Sequence, residues 1–140
     1  DGTKKMSKSD LSDLSRINLT DDKETIVNKI KRAKTDTLPL PPNVEEMHKR
    51  PEVKNLLGIY SSLTNISLEE SIQKFEGKNF SEFKEQLTQV LVEKIEPISI
   101  EIKKLIKEKG YLDKILSDGY EKANDIASKK VKKIKEIIGF

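Results

Sequence analysis

The chain of 140 residues sets 27 lysine and arginine side chains against 24 aspartate and glutamate, for a net charge of +3, with 34% hydrophobic and 36% charged residues. That length suits one domain, or one domain with an appended loop, and the absence of cysteine excludes disulfides and thiolate metal sites. The single histidine, His48, cannot build a metal cluster; no apolar run approaches the roughly 18 residues of a membrane span and no signal peptide is visible, so a soluble, cytoplasmic protein with no membrane partner is expected.

The first informative stretch is Lys5-Met6-Ser7-Lys8-Ser9, preceded by Gly2 and Lys4. Two lysines three apart, interleaved with two hydroxyls, make a flexible loop rich in phosphate-binding donors. Lys4 reads as a solvated charge beside it. Residues 11–19 are polar and irregular, with Ile17 and Leu19 placed for a short extended piece. Asp21, with Glu24 three residues on, then signals a helix start. Ile26, Val27, Ile30 and Ala33 form its apolar stripe, while Lys29, Lys31, Arg32 and Lys34 crowd the C-terminal end, where the helix dipole favours them.

Thr37-Leu38-Pro39-Leu40-Pro41-Pro42-Asn43 cannot be helical and reads as a linker or crossover. Pro51 suits a first helical position, and Val53, Leu56, Leu57 and Tyr60 follow at helical spacing. Ser67 to Glu70 spells a capping box for a short helix with Leu68, Ile72 and Phe75 inward, closed by Gly77. Asn79 caps the longest helix, whose stripe runs from Phe80 and Phe83 to Ile106, is expected to end at Gly110, and is kinked but not broken at Pro97. A short helix over residues 113–117, a joint at Gly119 and a last helix from Tyr120 through Ala123, Ala127, Val131, Ile134 and Ile138 complete the chain. No segment alternates with period two, so the fold expected is all-α, a helical bundle after an irregular loop. The aromatic residues Tyr60, Phe75, Phe80 and Phe83 fall on apolar stripes and read as core, and His48 as a surface residue. Five lysines lie within Lys129–Lys135, a modest basic patch.

Lys5-Met6-Ser7-Lys8-Ser9 resembles the KMSKS signature of class I aminoacyl-tRNA synthetases at all five positions. The remainder looks like the tryptophanyl branch of that class. Ile17 to Asp21 leading into Lys31 to Asp36 is similar to the segment after the signature. Arg50 to Ser61, Phe75 to Phe80 with Phe83-Lys84, and Tyr111 to Gly119 with Ala123 and Ala127 resemble later blocks. The tyrosyl relative comes second, since its lysine loop usually differs. One departure stands out: Leu11 occupies a place where the family commonly has proline, which bears on the stiffness of the loop and not on its lysines.

The resemblance implies a C-terminal portion of a synthetase, with residues 1–20 as signature loop and adjoining segment and residues 21–140 as the helical domain that contacts the tRNA anticodon. The nucleotide-binding parallel sheet of such an enzyme, with its HIGH-type motif, is absent from these residues. It implies ATP with Mg²⁺ as cofactor of the parent, no metal held by side chains of this portion, tRNA(Trp), ATP and L-tryptophan as partners, and a homodimeric parent. Lys5 and Lys8 become the expected catalytic residues, with Met6, Ser7 and Ser9 completing the ATP and pyrophosphate loop. Arg50, Lys78, Lys129, Lys130 and Lys133 become candidates for tRNA phosphate contacts, although a solvated face is the alternative for each and the favoured reading for the last three. The portion alone is expected to be inactive. A free-standing helical RNA-binding module or a protein-interaction bundle remains open from the residues alone, but neither needs the pentapeptide.

Overall fold

Among the residues described by the computed structural model, 2–3, 5–7 and 9–139, the apolar periodicity becomes six α-helices and one 3-10 turn, with no strand. The turn covers Asp13–Ser15; α1 spans Lys23–Arg32, α2 Val44–His48, α3 Pro51–Thr64, α4 Leu68–Phe75, α5 Phe80–Lys107 and α6 Lys109–Ile138. The all-α expectation holds. The extended piece at Ile17 and Leu19 does not form, because no neighbouring described segment offers it a ladder of backbone partners. By its internal contacts the chain divides into two units, Asp1–Ile100 and Glu101–Phe140.

In the first unit the helix starts are set by side-chain caps. Asp22, not Asp21, caps α1 by accepting from the Thr25 amide, because the Asp21 carboxylate is taken up elsewhere. Asn43 caps α2 through the Glu46 amide, and Pro51 opens α3. Ser67 and Glu70 form the full reciprocal capping box of α4, and Asn79 accepts from the Glu82 amide at the start of α5. Two connections turn through the left-handed region, at Asn65 (φ 56°) after α3 and at Gly77 (φ 71°) after α4. Asparagine and glycine are the residues that take that conformation at least cost.

The core of this unit is built on three rings. Phe75 packs edge-on to Tyr60 at 4.9 Å and to Phe83 at 4.8 Å between centroids. Ile26 and Ile30 of α1, Met47 of α2, Val53, Leu56 and Leu57 of α3, Ile72 of α4 and Leu87 and Leu91 of α5 close around them. Tyr60 keeps its hydroxyl satisfied by a 2.6 Å bond from Lys74 Nζ.

The proline-rich connection is a fastened strap. Leu40 is buried, and its backbone exchanges hydrogen bonds with the α4–α5 turn, donating to Lys78 O at 2.9 Å and accepting from Gly77 N at 3.1 Å. Arg50 holds the same strap from the other side. Its Nε and Nη2 grip the Asp36 carboxylate at 2.8 and 2.5 Å, and its Nη1 and Nη2 donate to the carbonyls of Pro39 and Leu38. The hydrogen bond from Arg50 holds the Asp36 carboxyl below its ordinary range.

α5 runs unbroken through Pro97 to Lys107, as the continuous stripe implied. The second unit departs from expectation at its glycines. α6 runs without a joint from Lys109 through Gly110 and Gly119 to Ile138, so the separate 113–117 helix does not exist and the break falls at Glu108. Neither glycine takes a positive φ, and a mid-helix glycine costs only about 1 kcal/mol relative to alanine, too little to stop a long helix. α6 has no buried residue among those described, and Tyr120, Val131 and Ile134 of its stripe are exposed.

This contrast sets an expected outcome for the isolated chain under chemical denaturation. Phe83→Ala, at the centre of the ring cluster, lowers stability by about 3–5 kcal/mol. Ile134→Ala, on the open face of α6, changes it by less than about 0.5 kcal/mol. Comparable losses at both positions would place the cooperative core elsewhere.

Candidate functional site

The signature segment lies at the surface. Lys5, Met6, Ser7 and Ser9 are all exposed, and Lys8 lies outside the described residues. The two hydroxyls face each other, with Ser7 Oγ 3.0 Å from Ser9 Oγ, and the Ser9 amide donates to Ser7 Oγ at 3.3 Å. The Asp10 amide donates to Ser7 O at 3.3 Å and closes a turn. Lys5 stands outside the turn that holds the serines and is exposed.

The segment is tied down on both sides. Upstream, Gly2 approaches the first turn of α3 so closely that a Cβ there would stand 2.5 Å from Pro51 O and 2.8 Å from its carbonyl carbon, so only glycine fits. Downstream, Arg16 Nη1 donates to the carbonyls of Ser7 at 3.3 Å and Asp10 at 3.5 Å. Its Nη2 pairs with Asp13 Oδ1 at 3.0 Å.

Behind Arg16 stands a buried cation. Lys29 Nζ, on α1 and only 4% exposed, lies 2.6 Å from Asp13 Oδ2 and 2.6 Å from Asp21 Oδ2. Asn18 completes the arrangement, its side chain donating to Asp13 at 2.9 Å and its amide to Asp21 at 2.9 Å. The hydrogen bond from Lys29, then that from Asn18, holds the Asp13 carboxyl below its usual range. For Lys29 burial is the largest influence and pulls the ammonium down, but the hydrogen bonds and charges of Asp13 and Asp21 together outweigh it and leave it raised. A lowered carboxyl favours the folded state above about pH 4 and loses that contribution as pH falls through its depressed value. A raised ammonium contributes below about pH 10 and loses it as pH rises through its raised value. Between those limits the fastening is complete.

Sequence reasoning assigned Lys29 to the basic end of α1 and passed over Asp13, Arg16 and Asp21 as site residues. The spacing held one usable signal. Lys29 falls three residues after Ile26 and one before Ile30, on the same face as the buried stripe, so it needed an acidic partner.

The remaining candidates are dispersed. An open groove of about 1320 Å³ is lined by α1, the strap and the start of α5, with Lys31, Asp36, Lys78, Asn79 and Lys84 among its walls. Lys78 is half-buried, its ammonium 5.7 Å from the Phe75 ring centroid. Lys84 Nζ donates to the carbonyls of Lys31 and Ala33 at 3.3 and 2.6 Å, terminating α1, and burial pushes its pKa down. Arg50 is committed to Asp36 and the strap and stacks 5.7 Å from the Phe80 ring centroid. Lys129, Lys130 and Lys133 sit exposed on α6, in the second unit, where Lys129 pairs with Asp125 at 2.8 Å. His48 is exposed at the end of α2, as its position suggested. Among the described residues no cluster of three or more histidine or carboxylate side chains is placed to hold a metal ion, and no helix is long and apolar enough to cross a membrane.

Comparison with known proteins places this geometry in a family. The chain is 44% identical over 140 residues to the tryptophan–tRNA ligase of Brucella melitensis biotype 1, covering 100% of this chain and 39% of that protein. It is 48% identical over 139 residues to the tryptophan–tRNA ligase of Mesorhizobium japonicum, covering 99% of this chain and 39% of that one. With the tryptophan–tRNA ligase of Rickettsia conorii the identity is 49% over 140 residues, 100% of this chain and 42% of the relative. The chain therefore spans about two-fifths of the length of the curated relatives it matches. The family model for class I tRNA synthetases (W and Y) matches residues 1–96, from the signature segment through the first unit and most of α5. This chain belongs to the class I tRNA synthetases of the tryptophan and tyrosine group.

Proposed function

We propose that this chain is the C-terminal portion of a tryptophan–tRNA ligase, which activates tryptophan with ATP and transfers it to tRNA(Trp). The observation that carries the reading is continuous similarity along the chain to proteins of that name, with Lys5-Met6-Ser7-Lys8-Ser9 intact and Lys5 exposed on a tethered segment. Residues 1–20 belong functionally to the catalytic part and residues 21–140 to the tRNA-binding part. The whole enzyme works in the cytoplasm as a homodimer.

In the first step the tryptophan carboxylate attacks the α-phosphorus of ATP. A new oxygen–phosphorus bond forms, the bond to the bridging oxygen of the pyrophosphate breaks, and negative charge collects on the departing group. Donors that meet this charge only in the transition state raise the rate, whereas equal grip on bound ATP would not. Lys5 and Lys8 supply the movable positive charge, and Ser7, Ser9 and the loop amides supply hydrogen bonds. Mg²⁺ bound with the nucleotide would supply counter-charge to its phosphates, and no side-chain cluster among the described residues is placed to hold it. A hydroxyl of the terminal ribose of the tRNA then attacks the carbonyl carbon of the adenylate, forming the ester as the acyl–phosphate bond breaks and AMP leaves. In the helical portion, lysine contacts to phosphate from Lys78, Lys129, Lys130 and Lys133 position the tRNA. Arg50 contributes indirectly, by holding the strap that walls the groove beside Lys78.

Two measurements on the longer polypeptide carrying this chain test the reading. Lys8→Ala lowers the rate of adenylate formation by about 10²–10³ with little change in ATP affinity. Equal losses in rate and affinity would show a loop that merely binds the ground state. Replacing Lys129, Lys130 and Lys133 by Gln flattens the dependence of log K for tRNA on log[salt], by roughly 0.7–0.9 for each phosphate that is no longer neutralised. An unchanged slope would assign those lysines to a solvated face.

A further inference from the structure

We propose that Arg16 is a positioning residue for the signature segment, holding its backbone in register from an anchor formed by Asp13, Lys29 and Asp21. This deepens the ligase reading and rests on it. The two carbonyls that Arg16 engages, those of Ser7 and Asp10, flank Lys8 and Ser9 in the sequence. A group bonded to those two carbonyls restrains Ser7 and Asp10, one on either side of the pair.

The choice of arginine is explicable. A planar guanidinium presents several donors at fixed angles, so Arg16 can serve two loop carbonyls with Nη1 while Nη2 stays on Asp13. A lysine in its place would offer one point charge and could not hold both sides in a fixed geometry.

The contacts also differ in strength along the path. On the anchor side the separations are 3.0 Å from Arg16 to Asp13, then 2.6 Å from Lys29 to each of Asp13 and Asp21. On the loop side they are 3.3 and 3.5 Å, at the long end of the hydrogen-bonding range, and go to neutral carbonyls. The weaker bonds yield first. The anchor also reaches the helical body, because Lys29 projects from α1, whose C-terminal carbonyls are held by Lys84 of α5. Upstream of the segment, Gly2 lies close against the first turn of α3.

The test uses the full-length polypeptide and follows tryptophan-dependent ATP–pyrophosphate exchange. Arg16→Ala lowers turnover in this step by about 10–100-fold, with tryptophan KM and melting temperature unchanged. Arg16→Lys, which keeps the charge and the pairing with Asp13, restores part of the rate. Asp13→Ala produces a loss that does not add to that of Arg16→Ala in the double variant, since both act through one path. Unchanged turnover in Arg16→Ala, a loss wholly explained by a lowered melting temperature, or additive losses in the double variant would overturn the role of Arg16 while leaving the ligase reading intact. Absence of exchange in the wild-type polypeptide would instead overturn the ligase reading, and the positioning role with it.

Discussion

A buried ammonium needs partners, and in this chain that requirement organises the approach to the signature segment. Lys29 lies on the inward face of α1 beside Ile26 and Ile30, where an unpaired charge would be prohibitively costly. It is satisfied by two carboxylates from the stretch that precedes its own helix, Asp13 and Asp21, at 2.6 Å each. That stretch has no strand and only a three-residue 3-10 turn; apart from the ion pairs it is held by Ile17 against the core and by the bonds of Asn18 to Asp13 and Asp21. Two consequences follow locally. Asp21 is withdrawn from helix capping and Asp22 takes over, and Asp13 is left with a second oxygen to hold Arg16.

Apolar geometry and polar geometry were unequally legible in the amino-acid order. The core positions, from Ile26 through Val53, Tyr60, Phe75 and Phe83 to Leu87, follow a 3.6-residue period, and the structure buries each of them. Ser67–Glu70, Pro51 and Asn79 marked helix starts because a cap depends on neighbours within a few residues. Gly110 and Gly119 read as breaks in the amino-acid order, yet α6 runs through both, because a helical glycine costs little and adopts no special φ here. The polar network was not legible in full. Lys29 meets Asp13 across sixteen positions of chain, and Arg50 meets Asp36 across fourteen, separations that no local pattern encodes. The pentapeptide itself was plain in the sequence, but its tethers at Gly2 and Arg16 depend on tertiary placement.

The two most polar parts of the first unit share a physical logic. Each takes a segment that cannot form regular structure and binds it with a cation and backbone acceptors. Arg50 does this for the proline-rich strap, through Asp36 and the carbonyls of Leu38 and Pro39. Arg16 does it for the signature segment, through Asp13 and the carbonyls of Ser7 and Asp10. The strap is also closed by paired backbone bonds to Gly77 and Lys78, at 3.1 and 2.9 Å, whereas the bonds from Arg16 to the signature segment are longer, at 3.3 and 3.5 Å.

Amide hydrogen exchange on the isolated chain, compared between wild type and Lys29→Met, tests the central claim most directly. The substitution keeps an apolar stem on the inward face of α1 and removes the charge that joins Asp13 to Asp21, leaving two carboxylates in proximity without their cation. The account predicts a marked loss of protection at the Asp21 amide and through residues 12–21, with the amides of α3 and the first half of α5 unchanged. Equal protection of residues 12–21 in the two proteins would contradict it, and would mean that the segment before α1 is held by something other than the buried lysine.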